Sequence, residues 1–181
     1  MELQKAILTR RSIRRYTAEP VSRAELCRVI ELARFAPSWK NTQTTRYTLV
    51  TDRALLDRIA AEGMAGFAKN AETLSNAPAL VVLSTVTGRS GYERDGSPTT
   101  PKGSHWQSFD AGIAAQTFCL AAWEQSLGTL IMGIFDEEKV AGLIDLPAGE
   151  SVSALIVVGR AAEEPTAPGR KETDALLRVI D

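Results

Sequence analysis

The sequence has few of the residues that build metal centres and covalent staples. Among its 181 residues are two cysteines, Cys27 and Cys119, far apart and outside any CxxC pattern, and one histidine, His105. Two lone cysteines argue against a disulfide framework or a structural zinc site and favour a reducing compartment, so a cytoplasmic location is expected. One histidine cannot build a multi-histidine metal site, and no metal is expected. No apolar stretch reaches the roughly 20 residues that span a bilayer, and charge precedes any apolar run at the start, unlike a signal peptide. GxGxxG, GxxxxGK[ST] and GxSxG are all missing. That removes the dinucleotide fingerprint, the P-loop and the nucleophile elbow. The net charge is −1, whereas a nucleic-acid-binding domain would normally be basic throughout. Neither a nucleic-acid nor a membrane partner is expected.

Hydrophobic residues make up 44% and charged residues 24%, which suits one folded domain over residues 1–181. Against that balanced background, Arg10 to Tyr16 read RRSIRRY, with four arginines in six residues. Arg10, Ser12 and Arg14 alternate, as side chains on one face of an extended segment do. Two guanidinium groups and a hydroxyl there could hold a phosphate through charge-assisted hydrogen bonds. The plainer reading is a solvated basic turn.

The pattern predicts a short helix over 3–9 and a second helix opened by Ser22. Glu25 would complete a capping box, and Val21 and Leu26 a hydrophobic staple. Pro37 stops that helix. Strands are expected over 46–51, 79–86, 129–133 and 153–159, and helices over 53–62, within 64–75, over 106–126 and, capped by Asp136, over 137–144. The 106–126 helix is apolar nearly all round, which places it in the core or at a subunit interface, with Gly128 ending it. Residues 87–104 form a long polar segment, a candidate lid in which Tyr92, Arg94 and Lys102 could meet a substrate. Helices alternating with strands make the class α/β or α+β.

Three further stretches sharpen the ligand. Ala36 to Gln43 (APSWKNTQ) puts an indole, two amides and a hydroxyl after a helix stop. Leu130 to Ile134 (LIMGI) ends a strand at a glycine, where backbone N–H groups can approach a ligand. Arg170 and Lys171 add cations near the end. Together these describe a ligand with a phosphate and a large planar ring. A serine hydrolase using Ser38 or Ser104 with His105, and a nucleic-acid binder using the arginine run, are the competing readings.

In this order the stretches resemble the nitroreductase family, the FMN-dependent NAD(P)H oxidoreductases. RRSIRRY is similar to its R-x-S-x-R motif, APSWKNTQ to its A-P-S-x-x-N-x-Q loop, and DAGIAAQTFCLAA to its central interface helix. LIMGIF and VVGRAAEEPTAPGRK resemble its last flavin contacts. The resemblance implies an α+β fold with a mixed, mainly antiparallel sheet surrounded by helices, in an interwoven homodimer with FMN at the interface. NADH or NADPH would be the donor and a small molecule, such as a nitroaromatic or quinone, the acceptor, in ping-pong order. A flavin-binding storage or sensing module, or a flavin reductase of another bond type, is the alternative. It implies Arg10, Arg11 and Ser12 at the phosphate and ribityl chain, and Arg14 at the flavin N1/O2 edge, tuning the ring. Pro37, Ser38, Trp39 and Asn41 would reach the flavin from the partner subunit, with Gln43 supporting their loop. Asn70 would bond the pyrimidine edge, Met132 and Gly133 would offer backbone groups near N5/O4, and Arg170 with Lys171 would close on the phosphate. With the chemistry on the flavin, no side chain is expected to be indispensable as acid or base. Trp39 stands where the family often has a small residue, so it should narrow the pocket or stack on the substrate.

Overall fold

A computed structural model describes residues 3–180 of the chain. Strand β2 (Ala79–Val86) is buried over nearly its whole length. It carries β1 (Thr45–Val50) on one side and β4 (Glu150–Gly159) on the other, and β3 (Gly128–Met132) lies beyond β4, giving the order β1-β2-β4-β3. All three pairings are antiparallel. The mixed character comes from one isolated parallel bridge, Ser12 to Thr129.

Alternation along β2 divides the core in two. Leu80 and Val82 pack with Leu56 and Ile59 of α3 (Arg53–Glu62), Leu74 of α4 (Ala68–Ser75) and Val140 of α6 (Glu137–Leu143). Ala79, Val81 and Leu83 pack on the opposite face with Leu26 and Val29 of α2 (Arg23–Ala33) and Phe118 of α5 (His105–Glu124). Leu83 opposes Ala154 but Ser84 opposes Val152, so Ser153 is an extra residue. This bulge returns Val152 to the face shared by Leu155 and Val157.

The expected capping box is present: Glu25 N–H donates to Ser22 Oγ at 3.2 Å and Ser22 N–H to Glu25 Oε2 at 2.9 Å. Val21 and Leu26 are both buried in one cluster. Asp136 caps α6, accepting from Lys139 N–H at 3.1 Å. The end of α5 differs from expectation. The helix stops at Glu124, and Ser126 takes the left-handed turn with φ 60°. Gly128 instead opens β3, where a Cβ would lie 2.7 Å from Ile13 Cγ1. Close packing against the N-terminal segment, not helix termination, requires glycine there.

That segment follows α1 (Leu3–Thr9). It runs along β3, with Ile13 N–H donating to Thr129 O at 3.0 Å, and buries Ile13 and Tyr16. The Tyr16 hydroxyl donates to Ile13 O at 2.7 Å, and burial pushes its phenol pKa up. A Cβ on Gly159 would lie 2.6 Å from Tyr16 Cδ1 and 2.7 Å from Pro78 Cδ. Both neighbours are stiff, so Gly159→Ala should destabilise the fold by about 1–3 kcal/mol in urea titration. A midpoint unchanged from wild type would mean that Tyr16 repacks freely.

Glu25 also pairs with Arg160, which reaches Glu19 at 3.2 Å. Hydrogen bonds from Ser22, then the Arg160 partner, hold the Glu25 carboxyl below its ordinary range. A lowered folded-state pKa contributes stability that is fully present above the unfolded value, about 4.3, and is lost as pH falls through the folded value. Glu25→Gln should therefore lose less stability than wild type between neutral and acid pH, as denaturant midpoints across that window would show. Parallel losses would sink this assignment.

Candidate functional site

The N-terminal segment covers only part of the β3 edge. Because Thr129 O faces Ile13, strand alternation turns the N–H and C=O of Ile131, and of Gly133 just beyond the strand, toward the same open edge. A cavity of about 1080 Å³ lies there, bordered by Arg14, Tyr16, Asn70, Ile131, Met132 and Gly133. Asn70 is fixed, its Nδ2 donating to Ile134 O at 2.9 Å. A second cavity, of about 660 Å³, is lined by Lys5, Arg10, Arg11, Trp123 and Thr129. Glu163 and Pro165 line both cavities, so the two are neighbours. Glu163 Oε1 accepts from the backbone N–H of Arg14 at 2.8 Å and of Arg15 at 3.3 Å. This carboxylate holds the segment in register beneath its own arginines.

The structure thus gathers Arg14, Asn70, Met132 and Gly133 around one cavity and Arg10 with Arg11 around its neighbour. Arg10, Ser12 and Arg14 do not share a single pocket. Ser12 is occupied in the bridge to Thr129, and burial of Ile13 between them sends the flanking arginines to different cavities. Arg11 closes the end of α1, its Nη1 donating to Leu8 O and Arg10 O at 2.8 Å each. The Met132 side chain is buried in the core, and Ile131 rather than Met132 has its backbone groups on the open edge. Arg170 donates to Pro168 O at 3.0 Å, and both it and Lys171 are exposed and border neither cavity.

Pro37, Ser38 and Gln43 line a different cavity of about 190 Å³, with Asp110 and Arg46. Trp39 and Asn41 lie in the 3-10 turn between them. Lys40 (φ 44°), Asn41 (φ 53°) and Gln43 (φ 49°) all take left-handed backbone, a strained run that needs outside support. Asp110 of α5 supplies it. This carboxylate is 2% exposed and accepts from Trp39 N–H at 3.0 Å and from Ser90 Oγ at 2.7 Å. It ties the loop to the 87–104 segment, which is docked: Glu93 also pairs with Lys40 at 2.9 Å. The Trp39 ring leans on Trp106, centroids 4.4 Å apart. Sequence reasoning does not single out Asp110, although an acid in the apolar middle of this helix is an available signal. Three buried side-chain atoms lack a hydrogen-bond partner among the described residues, Trp39 Nε1, Thr42 Oγ1 and Thr44 Oγ1, and all are in or beside this loop. His105 lines another cavity, with Lys102. It makes no hydrogen bond to Ser38 or Ser104, whereas Ser38 Oγ accepts from Gln43 N–H at 2.9 Å. Among the described residues there is no group of three or more His, Cys, Asp or Glu able to hold a metal, and no helix is long and apolar enough to cross a membrane.

The profile of the nitroreductase family matches residues 7–160. The chain belongs to the nitroreductase family. A protein from Thermus thermophilus named NADH dehydrogenase is 31% identical, covering 91% of this chain and 89% of that one. The FMN reductase [NAD(P)H] of Bacillus subtilis is 27% identical, covering 92% and 70%. The crystal structure of a nitroreductase family protein from Streptococcus pneumoniae superposes with a TM-score of 0.86 at 20% identity, covering 99% and 100%. With these relations the chain is an oxidoreductase that uses flavin and a nicotinamide donor. The donor set fits a flavin nucleotide. Lysine and arginine side chains border one cavity, and backbone groups and an anchored amide border the other.

Replacing Asp110 by alanine leaves the Trp39 N–H and the Ser90 hydroxyl without an acceptor. The expected cost is about 2–6 kcal/mol, at roughly 1–3 kcal/mol per abandoned donor. Amide exchange at Trp39 should accelerate. Unchanged protection there would mean that the loop is held by other contacts.

Proposed function

We propose that this family member is an FMN-dependent oxidoreductase that passes reducing equivalents from NADH or NADPH to a small organic acceptor, such as a nitroaromatic or a quinone. One observation carries the reading: the cation-lined cavity and the open β3 edge are adjacent, as a phosphate joined to a planar ring requires. When bound, FMN supplies the ring that accepts a hydride and gives up electrons. Arg10 holds the phosphate, with Lys5 as a second cation. Arg11 braces the end of α1 beside it, and Ser12 keeps the segment paired to β3. Arg14 lies at the ring edge, where a fixed cation stabilises negative charge on a reduced ring and raises its potential. Asn70 and the backbone of Ile131 and Gly133 orient the ring, with Met132 packed in the core below. The proton comes from solvent, so no side chain serves as an indispensable acid or base. Donor and acceptor would bind in turn.

The chain would work as a homodimer. Leu3, Ile7 and Leu8 of α1, and Leu176, Leu177, Val179 and Ile180 near the end, are exposed apolar residues that a second copy would cover. Pro37, Ser38, Trp39, Asn41 and Gln43 lie apart from the two cavities of their own subunit, as residues serving the partner's site would. The unpartnered polar atoms of their loop support that placement. Arg170 and Lys171 would be drawn to the phosphate in the dimer. The two free cysteines suit the cytoplasm.

An anaerobic absorbance spectrum before and after NADH or NADPH tests the reading. A flavin band that bleaches is expected. A stable band would mean a storage module, and no band after incubation with FMN would end the proposal. Arg10→Ala should lose about 10- to 100-fold in FMN affinity, the equivalent of one charge-assisted hydrogen bond. Unchanged affinity would remove Arg10 from the phosphate.

A further inference from the structure

We propose that the cavity at the start of α5 binds a planar aromatic carboxylate. As the acceptor of the reaction this rests on the oxidoreductase reading, but as a binding site it does not. The cavity has a volume of about 420 Å³ and is lined by Lys102, His105, Trp106, Ser108 and Phe109. Two walls are aromatic. Trp106 and Phe109 meet edge to face, centroids 5.5 Å apart at 73°. A flat guest can stack on one ring while its rim meets the other, both favoured geometries.

Each polar residue of the lining can donate a hydrogen bond. Lys102, His105 and Ser108 border the space, and no aspartate or glutamate does. Lys102 Nζ sits 5.1 Å from the Trp106 ring centroid, and no acid pairs with it among the described residues. Glu93, an acid of the same segment, is engaged by Lys40 at 2.9 Å. A guest stacked on Trp106 would therefore displace the ammonium from the ring face or meet it at its edge. An edge carboxylate turns that encounter into a charge-assisted hydrogen bond, and a neutral edge does not.

The Trp106 wall is already set. Its Nε1–H donates to Thr100 Oγ1 at 2.9 Å, and its ring rests on Trp39 at a centroid distance of 4.4 Å. Gly91, with φ 84°, lets the 87–104 segment close on it, since a Cβ there would lie 3.0 Å from Trp106 Cδ1 and 2.2 Å from Gly103 O. A wall ordered in advance costs a ligand little entropy. Phe109, 60% exposed, stands at the mouth. Trp39 thus backs Trp106 within its own subunit.

Calorimetric titration of the purified oxidised protein, without NAD(P)H, would compare 4-nitrobenzoate with neutral 4-nitrobenzamide. The acid should bind about tenfold more tightly, the order expected of one charge-assisted hydrogen bond at a partly exposed site. Lys102→Met, which keeps the stem, should remove that preference, and Trp106→Leu should weaken both ligands. Equal affinities in the wild type, or a preference that survives Lys102→Met, would overturn the proposal. So would binding of neither ligand, the result if a second copy fills the cavity. In turnover, Lys102→Met should raise KM for 4-nitrobenzoate more than it changes kcat. A preference for the acid in a protein that NAD(P)H does not bleach would uphold the cavity and refute the oxidoreductase reading. Bleaching without the preference would do the reverse.

Discussion

The half-covered edge of β3 is the constraint on which the rest depends. An unpaired strand edge presents a row of donors and acceptors that must be paired, hidden or used. Here Ile13 takes Thr129 and goes no further. The chain then turns inward at Tyr16, whose ring packs so closely on Gly159 that no side chain fits between them. That turn leaves the backbone of Ile131 and Gly133 open and fixes four arginines around the opening. The glycines at 128 and 159 are what let the segment lie this close. Core packing and ligand placement are therefore one arrangement. A change that lifts Ile13 or Tyr16 moves the arginines as well.

Charge distribution follows from the same segment. Four arginines in a row of six would repel one another if nothing intervened. The structure spreads them: Arg11 turns back on helix carbonyls, Arg10 and Arg14 face different cavities, and Glu163 accepts from the backbone between them. Glu163 takes backbone N–H groups, and the Arg14 guanidinium donates to Ser12 O at 3.4 Å. A carboxylate bonded directly to the guanidinium groups of Arg10 and Arg14 would compete with a phosphate for them.

Much of this was legible in the sequence where the signal is local. The capping box at Ser22 and Glu25, the apolar run of β2, the Asp136 cap and the wholly apolar face of α5 depend on neighbours within a few residues, and all stand where the pattern puts them. Gly128 was misread because two mechanisms favour glycine near a helix end, a left-handed turn and a close contact. Only the position of Ile13, over a hundred residues away in sequence, separates them. The same reason hides Asp110 and Glu163. Their partners, Trp39, Ser90, Arg14 and Arg15, are distant in the chain, so no spacing rule reveals them. The arginine alternation was read correctly as extended chain, but which cavity each side chain enters depends on the burial of Ile13.

The loop from Pro37 to Gln43 differs physically from the β3 edge. The edge residues are satisfied inside one subunit except where a ligand is expected. The loop combines three left-handed residues with buried polar atoms that find no partner among the described residues. Strain of this kind persists only when the surroundings over-determine it. Within the subunit, the Asp110 carboxylate and the Trp39–Trp106 contact supply part of that determination. The second of these contacts also backs the aromatic wall at the start of α5, and Asp110 reaches that wall only through Trp39. Tension in the loop and order in the wall are thus two consequences of one buried aspartate. The residue that steadies the strained loop thereby also steadies the indole on which Trp106 rests.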